Sequence, residues 1–203
     1  MENIHHELNM RNLHILIILF PFFISSCATS PYLVDYEPIN IFLKSENISN
    51  KEYYILRNKE NNIQTLRIFN RGKGKKHVVY PNEIDYTSTL FEQKYWNKLF
   101  HSYSKDTIQK YWKEEDLPGF KFINENRIEL FNYNFLIRYP KIEKVIVISE
   151  PIYYHNKKYI LFLYSIDVIA NSSKPQIVVV MKRDKRKWIL VEKIGDYNCS
   201  GCL

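Results

Sequence analysis

Glycine is scarce, with five in 203 residues. A phosphate-cradling loop of the GxGxxG or P-loop kind needs several glycines close together, and no such cluster occurs. A GxSxG nucleophile elbow and an HExxH metalloprotease helix are missing as well. These absences exclude the nucleotide sites and hydrolases that can be read from a motif. Cysteine is also sparse: Cys199-Ser200-Gly201-Cys202 has no second CxxC and no HxxxH to complete a four-ligand zinc set. His77, His101 and His155 stand singly, so no metal and no cofactor is expected. No apolar run reaches the roughly 20 residues that a helical membrane span requires.

What is present begins at Met10-Arg11-Asn12-Leu13-His14, a short basic start followed by the apolar run Ile15 to Ile24. A charged segment, an apolar stretch of about 7–15 residues and a small-residue cleavage zone make up a secretory signal. Pro21 further weakens any continuous helix there. Ile24-Ser25-Ser26-Cys27 resembles the bacterial lipobox, in which small residues let a peptidase reach the backbone and the cysteine thiol takes diacylglycerol. The resemblance implies cleavage before Cys27, loss of residues 1–26 and a lipid anchor in the bacterial cell envelope. The alternative is an ordinary signal peptide with an incidental cysteine. Residues 1–9, with His5 and His6, read as an upstream extension, because the signal is better formed from Met10.

The chain carries a net charge of +7, and discarding residues 1–26 removes two glutamates and one arginine, raising it by one. A basic balance suits anionic lipid headgroups, polysaccharide or nucleic acid. Export argues against nucleic acid as a partner. The lysines are spread along the chain among Glu and Asp, which reads as a solvated surface. With 45% hydrophobic residues and 16 tyrosines, the exported part has the means to bury a core.

Residues 27–39 lack periodicity and hold Ser30, Pro31 and Pro38, which reads as a tether before a single domain over 40–203. Tyr53–Arg57, Gln64–Phe69 and Lys76–Tyr80 are short, β-branched or aromatic, and separated by Asn61-Asn62 and Gly72-Lys73-Gly74, which predicts an antiparallel meander. Apolar steps of three and four then predict a helix from Glu83 to Tyr103, with a second starting after Ser104 and carrying Ile108, Tyr111 and Trp112. Ile128 to Arg138 fits neither period cleanly and is taken as helix. Lys144–Ser149, Lys158–Val168, Gln176–Lys182 and Lys187–Lys193 predict a four-stranded antiparallel C-terminal sheet, with Trp188 facing the helix around Phe91 and Trp96. Strands, then helices, then strands make an α+β fold.

The pieces Arg138-Tyr139-Pro140, Val147-Ile148-Ser149-Glu150-Pro151-Ile152, Lys158 to Phe162 and Lys187-Trp188-Ile189-Leu190-Val191 resemble the C-terminal half of small uncharacterised bacterial envelope lipoproteins. Such proteins often carry paired cysteines where this chain has Ile166-Asp167-Val168-Ile169-Ala170. The resemblance implies fold and location and brings no activity with it.

Of the chemical constellations, Cys199 and Cys202 suit a redox dithiol, half a zinc site or a small-loop disulfide. The pair follows a strand and not a helix N-terminus, and the compartment is oxidising, so a Cys199–Cys202 disulfide is the expectation. Asp106, Glu114, Glu115 and Asp116 read as solvated acids. Tyr153, Tyr154, His155 and Tyr159 could line a binding face on the C-terminal sheet. The basic turns Arg71 to Lys76 and Lys182 to Lys187 are hairpin tips able to meet a headgroup or polysaccharide. The expected function is a membrane-anchored, non-enzymatic binding or accessory domain with an envelope protein or glycan partner. The alternative is an envelope hydrolase whose site is dispersed in sequence.

Overall fold

A computed structural model describes residues 32–70, 88–169 and 175–196. Its organising element is the strand Tyr159–Val168, in which nine of ten residues are buried. A run that is apolar on both alternating faces cannot border water on either side, so it must sit inside a sheet covered twice.

Seven strands form one mixed sheet: β1 Tyr54–Leu56, β2 Lys121–Ile123, β3 Lys144–Ile148, β4 Ile152–Tyr154, β5 Tyr159–Val168, β6 Ile177–Asp184 and β7 Lys187–Gly195, in the order β2-β1-β3-β5-β6-β7. β3, β5, β6 and β7 are antiparallel neighbours, whereas β1 runs parallel to both β2 and β3. β4 pairs with the start of β5 on the edge that β3 occupies further along. β3 and β4 are thus one strand interrupted at Ser149-Glu150-Pro151. Pro151 has no N–H to give to a ladder, and Ser149 Oγ accepts the Leu163 N–H at 2.9 Å in place of a backbone carbonyl.

The helices are α1 Glu37–Ser45, α2 Asn62–Asn70, α3 Gln93–Tyr103 and α4 Tyr133–Arg138, with a 3-10 turn at Arg127–Phe131. Ile160, Phe162, Tyr164 and Ile166 of β5 pack with Ile39, Phe42 and Leu43 of α1, and the Phe42 ring meets Phe162 and Tyr164 edge-on at 5.5 and 5.0 Å. Tyr159, Leu161 and Leu163, on the opposite face, pack with Leu66 and Phe69 of α2 and Leu99 and Tyr103 of α3. A third cluster joins Leu56, Ile123, Leu130, Phe135, Val145 and Val147 at the β2 side. No helix among the described residues is long and apolar enough to cross a membrane.

The α+β class and the C-terminal antiparallel strands agree with the sequence pattern, as does helix within 128–138. The N-terminal meander does not. Gln64–Phe69 lies in α2, because Asn61 Oδ1 accepts the Ile63 N–H at 2.8 Å and starts a helix, and Asn62, Thr65, Leu66 and Phe69 then share one buried face at helical spacing. β1 has only parallel partners, and Lys76–Tyr80 lies outside the described residues. The helix expected over Glu83–Tyr103 begins at Gln93; Ser88 to Glu92 form a turn whose Thr89 N–H is held by Glu192 at 3.1 Å, and 83–87 lie outside the described residues.

The second helix after Ser104 is absent. The chain there runs extended, with Tyr111 bridging Asn58 and the Trp112 N–H donating to Arg57 O at 2.8 Å. Folding also begins within the expected tether: Tyr32 bridges Ile152 and α1 starts at Glu37. Trp188 is buried as expected, but on the α1 side with Phe42 and Met181, whereas Phe91 and Trp96 pack on the other face.

Candidate functional site

β4 and β5 are joined by a four-residue connection, His155 to Lys158, after the pair Tyr154 and Tyr159. His155, Asn156 and Lys157 all have left-handed φ, at 49°, 55° and 65°. A single asparagine tolerates that region readily, whereas a run of three non-glycine residues is strained and must be held by its surroundings. The Lys158 N–H closes the turn on His155 O at 3.2 Å. The His155 ring lies 3.8 Å from Tyr95 of α3 and 6.0 Å from Tyr159, so the imidazole is held between two phenols.

The hairpin and α3 together border a cleft of about 220 Å³. Tyr95, Lys98, Ser102 and Tyr103 come from the helix; Tyr153, His155 and Lys157 come from the hairpin. Helical spacing aligns the first set, since residues three, four and seven apart share a face. The Tyr103 hydroxyl accepts the Tyr153 N–H at 3.2 Å and fixes the helix to the start of the hairpin. The Tyr154 hydroxyl accepts the Glu92 N–H and donates to Leu90 O, both at 2.9 Å, tying the turn before α3 to the same strand.

Electrostatics give the cleft a positive rim. Lys157 lies 5.3 Å above the Tyr153 ring, Lys158 lies 5.3 Å above Tyr159, and Lys98 lies 5.9 Å above Tyr95. All three lysines are exposed. Glu92 is an acid that opposes them, its carboxylate 4.0 Å from His155 Nδ1. Burial pushes the Tyr103 and Tyr154 phenols above their ordinary value, against the smaller pull of the backbone N–H groups they accept, so both stay neutral. Such a surface can stack a flat face and pair with anionic oxygens.

Of the four residues expected to form one binding face, Tyr153, Tyr154 and His155 line the cleft, and Tyr159 lies behind it with its ring 6.0 Å from that of His155. Tyr154 and Tyr159 are buried, at 1% and 6% exposure, in the α2 and α3 side of the core. Tyr153 and His155 are half-buried and border the cleft, with the Tyr153 ring packing against the α1-side cluster. Sequence reading missed the helical half of the site, although the spacing of Tyr95, Lys98 and Ser102 carries it. Cys27, Cys199, Cys202, His77 and the turn Arg71 to Lys76 lie outside the described residues.

The acids do not converge. Asp106 pairs with Lys110 at 2.6 Å, Glu114 lies 3.9 Å from Arg57, Glu115 lies 3.7 Å from Lys113, and Asp116 accepts the Lys113 N–H at 2.9 Å. Glu115 and Asp116 do border an open groove of about 710 Å³ between α1 and residues 115–120, along with Asp35 and Glu37. Its two walls are bridged by Asn40 Nδ2 to Asp116 O at 3.2 Å and by Asn50 Nδ2 to Gly119 O at 3.0 Å. Gly119 is needed there: its φ is 86°, and a Cβ would stand 2.8 Å from Asn50 Nδ2. No group of three or more metal-ligating side chains occurs among the described residues.

Two buried ionic clusters support the scaffold. At the β3–β4 interruption, Lys59 Nζ donates to Glu150 Oε2 at 2.6 Å and to the Tyr36 hydroxyl at 2.8 Å, and that hydroxyl donates to Glu150 Oε1 at 2.7 Å. The ammonium also lies 4.1 Å from the Trp112 ring centre and 4.4 Å from that of Tyr36. On the odd-numbered face of β5, Arg127 donates to both Asp167 oxygens at 2.8 Å, to Ser165 Oγ at 3.2 Å and to Glu60 Oε2 at 3.1 Å. Burial pulls the guanidinium pKa down most strongly of any single cause, but Asp167 and Glu60 together outweigh it and raise it.

No family model, no curated protein and no solved structure matches this chain.

Proposed function

We propose that this chain is a bacterial envelope lipoprotein, anchored through diacylglycerol on Cys27, whose α+β domain acts by binding an anionic ligand in the cleft between α3 and the β4–β5 hairpin. The observation that carries the binding reading is the strained turn His155-Asn156-Lys157, whose His155 ring packs on Tyr95 and which borders the cleft together with Lys98. Three consecutive left-handed residues are a costly way to join two strands, and strain of this kind concentrates where function requires a fixed shape. The cleft is aromatic, the acid beside it is Glu92, and the Tyr103 and Tyr154 phenols are held neutral, which suits recognition better than proton transfer. Support for the anchor comes from the lipobox-like Ile24-Ser25-Ser26-Cys27 and its preceding signal.

The anchor is tested by metabolic labelling with palmitate: wild type is expected to incorporate label and Cys27→Ser to remain an unlabelled precursor. Equal label on both would refute it. The cleft is tested with the mature protein in detergent, titrated with soluble anionic oligosaccharides and inositol phosphates. Tyr95→Ala and the double change Lys98→Glu with Lys157→Glu should each weaken binding about tenfold or more, equal to about 1.4 kcal/mol or more of lost contacts. Unchanged affinity in both, with an unchanged melting temperature, would remove the cleft as the site.

A further inference from the structure

We infer that the cleft rim docks on the anionic lipid headgroups of the very bilayer that holds the chain. The inference rests on the anchored, anion-binding reading above and names its ligand. Only residues 28–31 separate Cys27 from Tyr32. A fully extended chain spans about 3.3–3.6 Å per residue, so lipid on Cys27 would hold Tyr32 within roughly 18 Å of the anchor point.

Tyr32 is not a loose end. It bridges Ile152 of β4, its ring meets Tyr103 edge-on at 5.3 Å, Lys110 lies 3.2 Å above it, and its hydroxyl donates to Asp106. Tyr103 is itself a wall of the cleft. The point where the leash meets the fold and the lysine-rimmed cleft are therefore one region, joined by a ring contact and a strand pairing.

Charge complementarity decides which face turns to the membrane. With at most about 18 Å between the anchor and Tyr32, about two Debye lengths of 8–10 Å, the face beside Tyr32 is within reach of the headgroup layer's electric field. Lys98 and Lys157 line the cleft and are exposed, with tyrosine rings beneath them, and Tyr with Lys is a combination suited to the headgroup level. Opposing charge there is limited: Glu92 faces His155, and Asp106 is already paired with Lys110. The acidic groove edged by Asp35, Glu37, Glu115 and Asp116 offers the wrong sign for such a surface.

The test uses the lipidated, mature protein in nanodiscs of phosphatidylcholine alone and of phosphatidylcholine with phosphatidylglycerol, read by amide hydrogen exchange. Peptides covering α3 and the β4–β5 hairpin are expected to exchange about fivefold or more slowly on the anionic discs, and peptides from the α1 groove to be unaffected. The double change Lys98→Glu with Lys157→Glu should abolish the difference while leaving exchange in β5 and β6, and so the fold, as in wild type. Equal exchange on both disc types in protein shown by mass to be lipidated would overturn the inference. If soluble anionic oligosaccharides still bound the cleft in that case, the ligand would be a glycan and the binding reading would stand. Failure of both the discs and the soluble anions would remove the reading itself.

Discussion

Glu150→Leu is expected to destabilise the domain by about 3–5 kcal/mol, the cost of leaving a buried charge without its counter-ion. The Lys59 and Glu150 side chains are 6% and 5% exposed, so neither can recover hydration when the other is removed. In Glu150→Leu the ammonium would keep the Tyr36 hydroxyl and two ring faces, which stabilise a cation but do not neutralise it. The reverse change, Lys59→Met, leaves a carboxylate with one phenol donor and should cost a similar amount. The double variant Lys59→Met with Glu150→Leu removes both charges from an apolar setting, and such replacements are often neutral or stabilising by about 1–4 kcal/mol. Urea unfolding of the four proteins gives the cycle, and the coupling is expected to be strongly favourable. Additive losses in the double variant would show that the pair does not interact as its geometry indicates.

This cluster also shows where the sequence stops being legible. Lys59 and Glu150 are 91 positions apart, and nothing in either local pattern marks the other as its partner. β5 was readable because its ten residues must be covered on both faces wherever they sit, and β6 and β7 because two β-branched, apolar runs flank the tight turn at Lys185-Arg186, which fixes a hairpin locally. β1 and β2 have three residues each and owe their existence to parallel neighbours far along the chain, so their direction could not be read. Gln64 to Phe69 satisfied a strand composition and a helix spacing at once, and the Asn61 cap together with the buried face of α2 decided between them. Ile108, Tyr111 and Trp112 had helical spacing, yet pairing with residues 57–59 and burial of Trp112 beneath Lys59 won over it. The candidate site was half legible for the same reason. The aromatic hairpin tip stands out in sequence, whereas its α3 wall joins it through tertiary contacts, Tyr103 with Tyr153 and Tyr95 with His155.

Above pH 10 the domain is expected to lose stability steeply, because four of its tyrosines resist ionisation when folded. Burial is the leading cause in each of Tyr36, Tyr103, Tyr154 and Tyr164, and all four phenols are raised above their ordinary value of 10.0. In Tyr36 the hydrogen bond to Glu150 and that carboxylate's negative charge add to burial, and in Tyr164 the hydroxyl is buried without a hydrogen-bond partner among the described residues. The sign follows from linkage: a group whose folded pKa lies above its unfolded value holds its proton longer in the native state, so the unfolded chain binds fewer protons at high pH. The stabilising contribution is complete below about pH 10 and is lost as pH rises beyond it, by up to about 1.4 kcal/mol per pH unit for each tyrosine, or about 5 kcal/mol per unit for all four. Phenolate absorbance should show Tyr36, Tyr103, Tyr154 and Tyr164 ionising only in step with loss of the folded circular dichroism signal. Tyr164→Phe sharpens the test, since it removes one silent phenol and an unpartnered buried hydroxyl together. It should raise stability at neutral pH by about 1 kcal/mol or more and make the alkaline slope shallower by one proton. A Tyr164→Phe variant that is less stable at pH 7, or a wild type whose tyrosines all titrate near their ordinary value while the fold persists, would show that these phenols are not shielded as described.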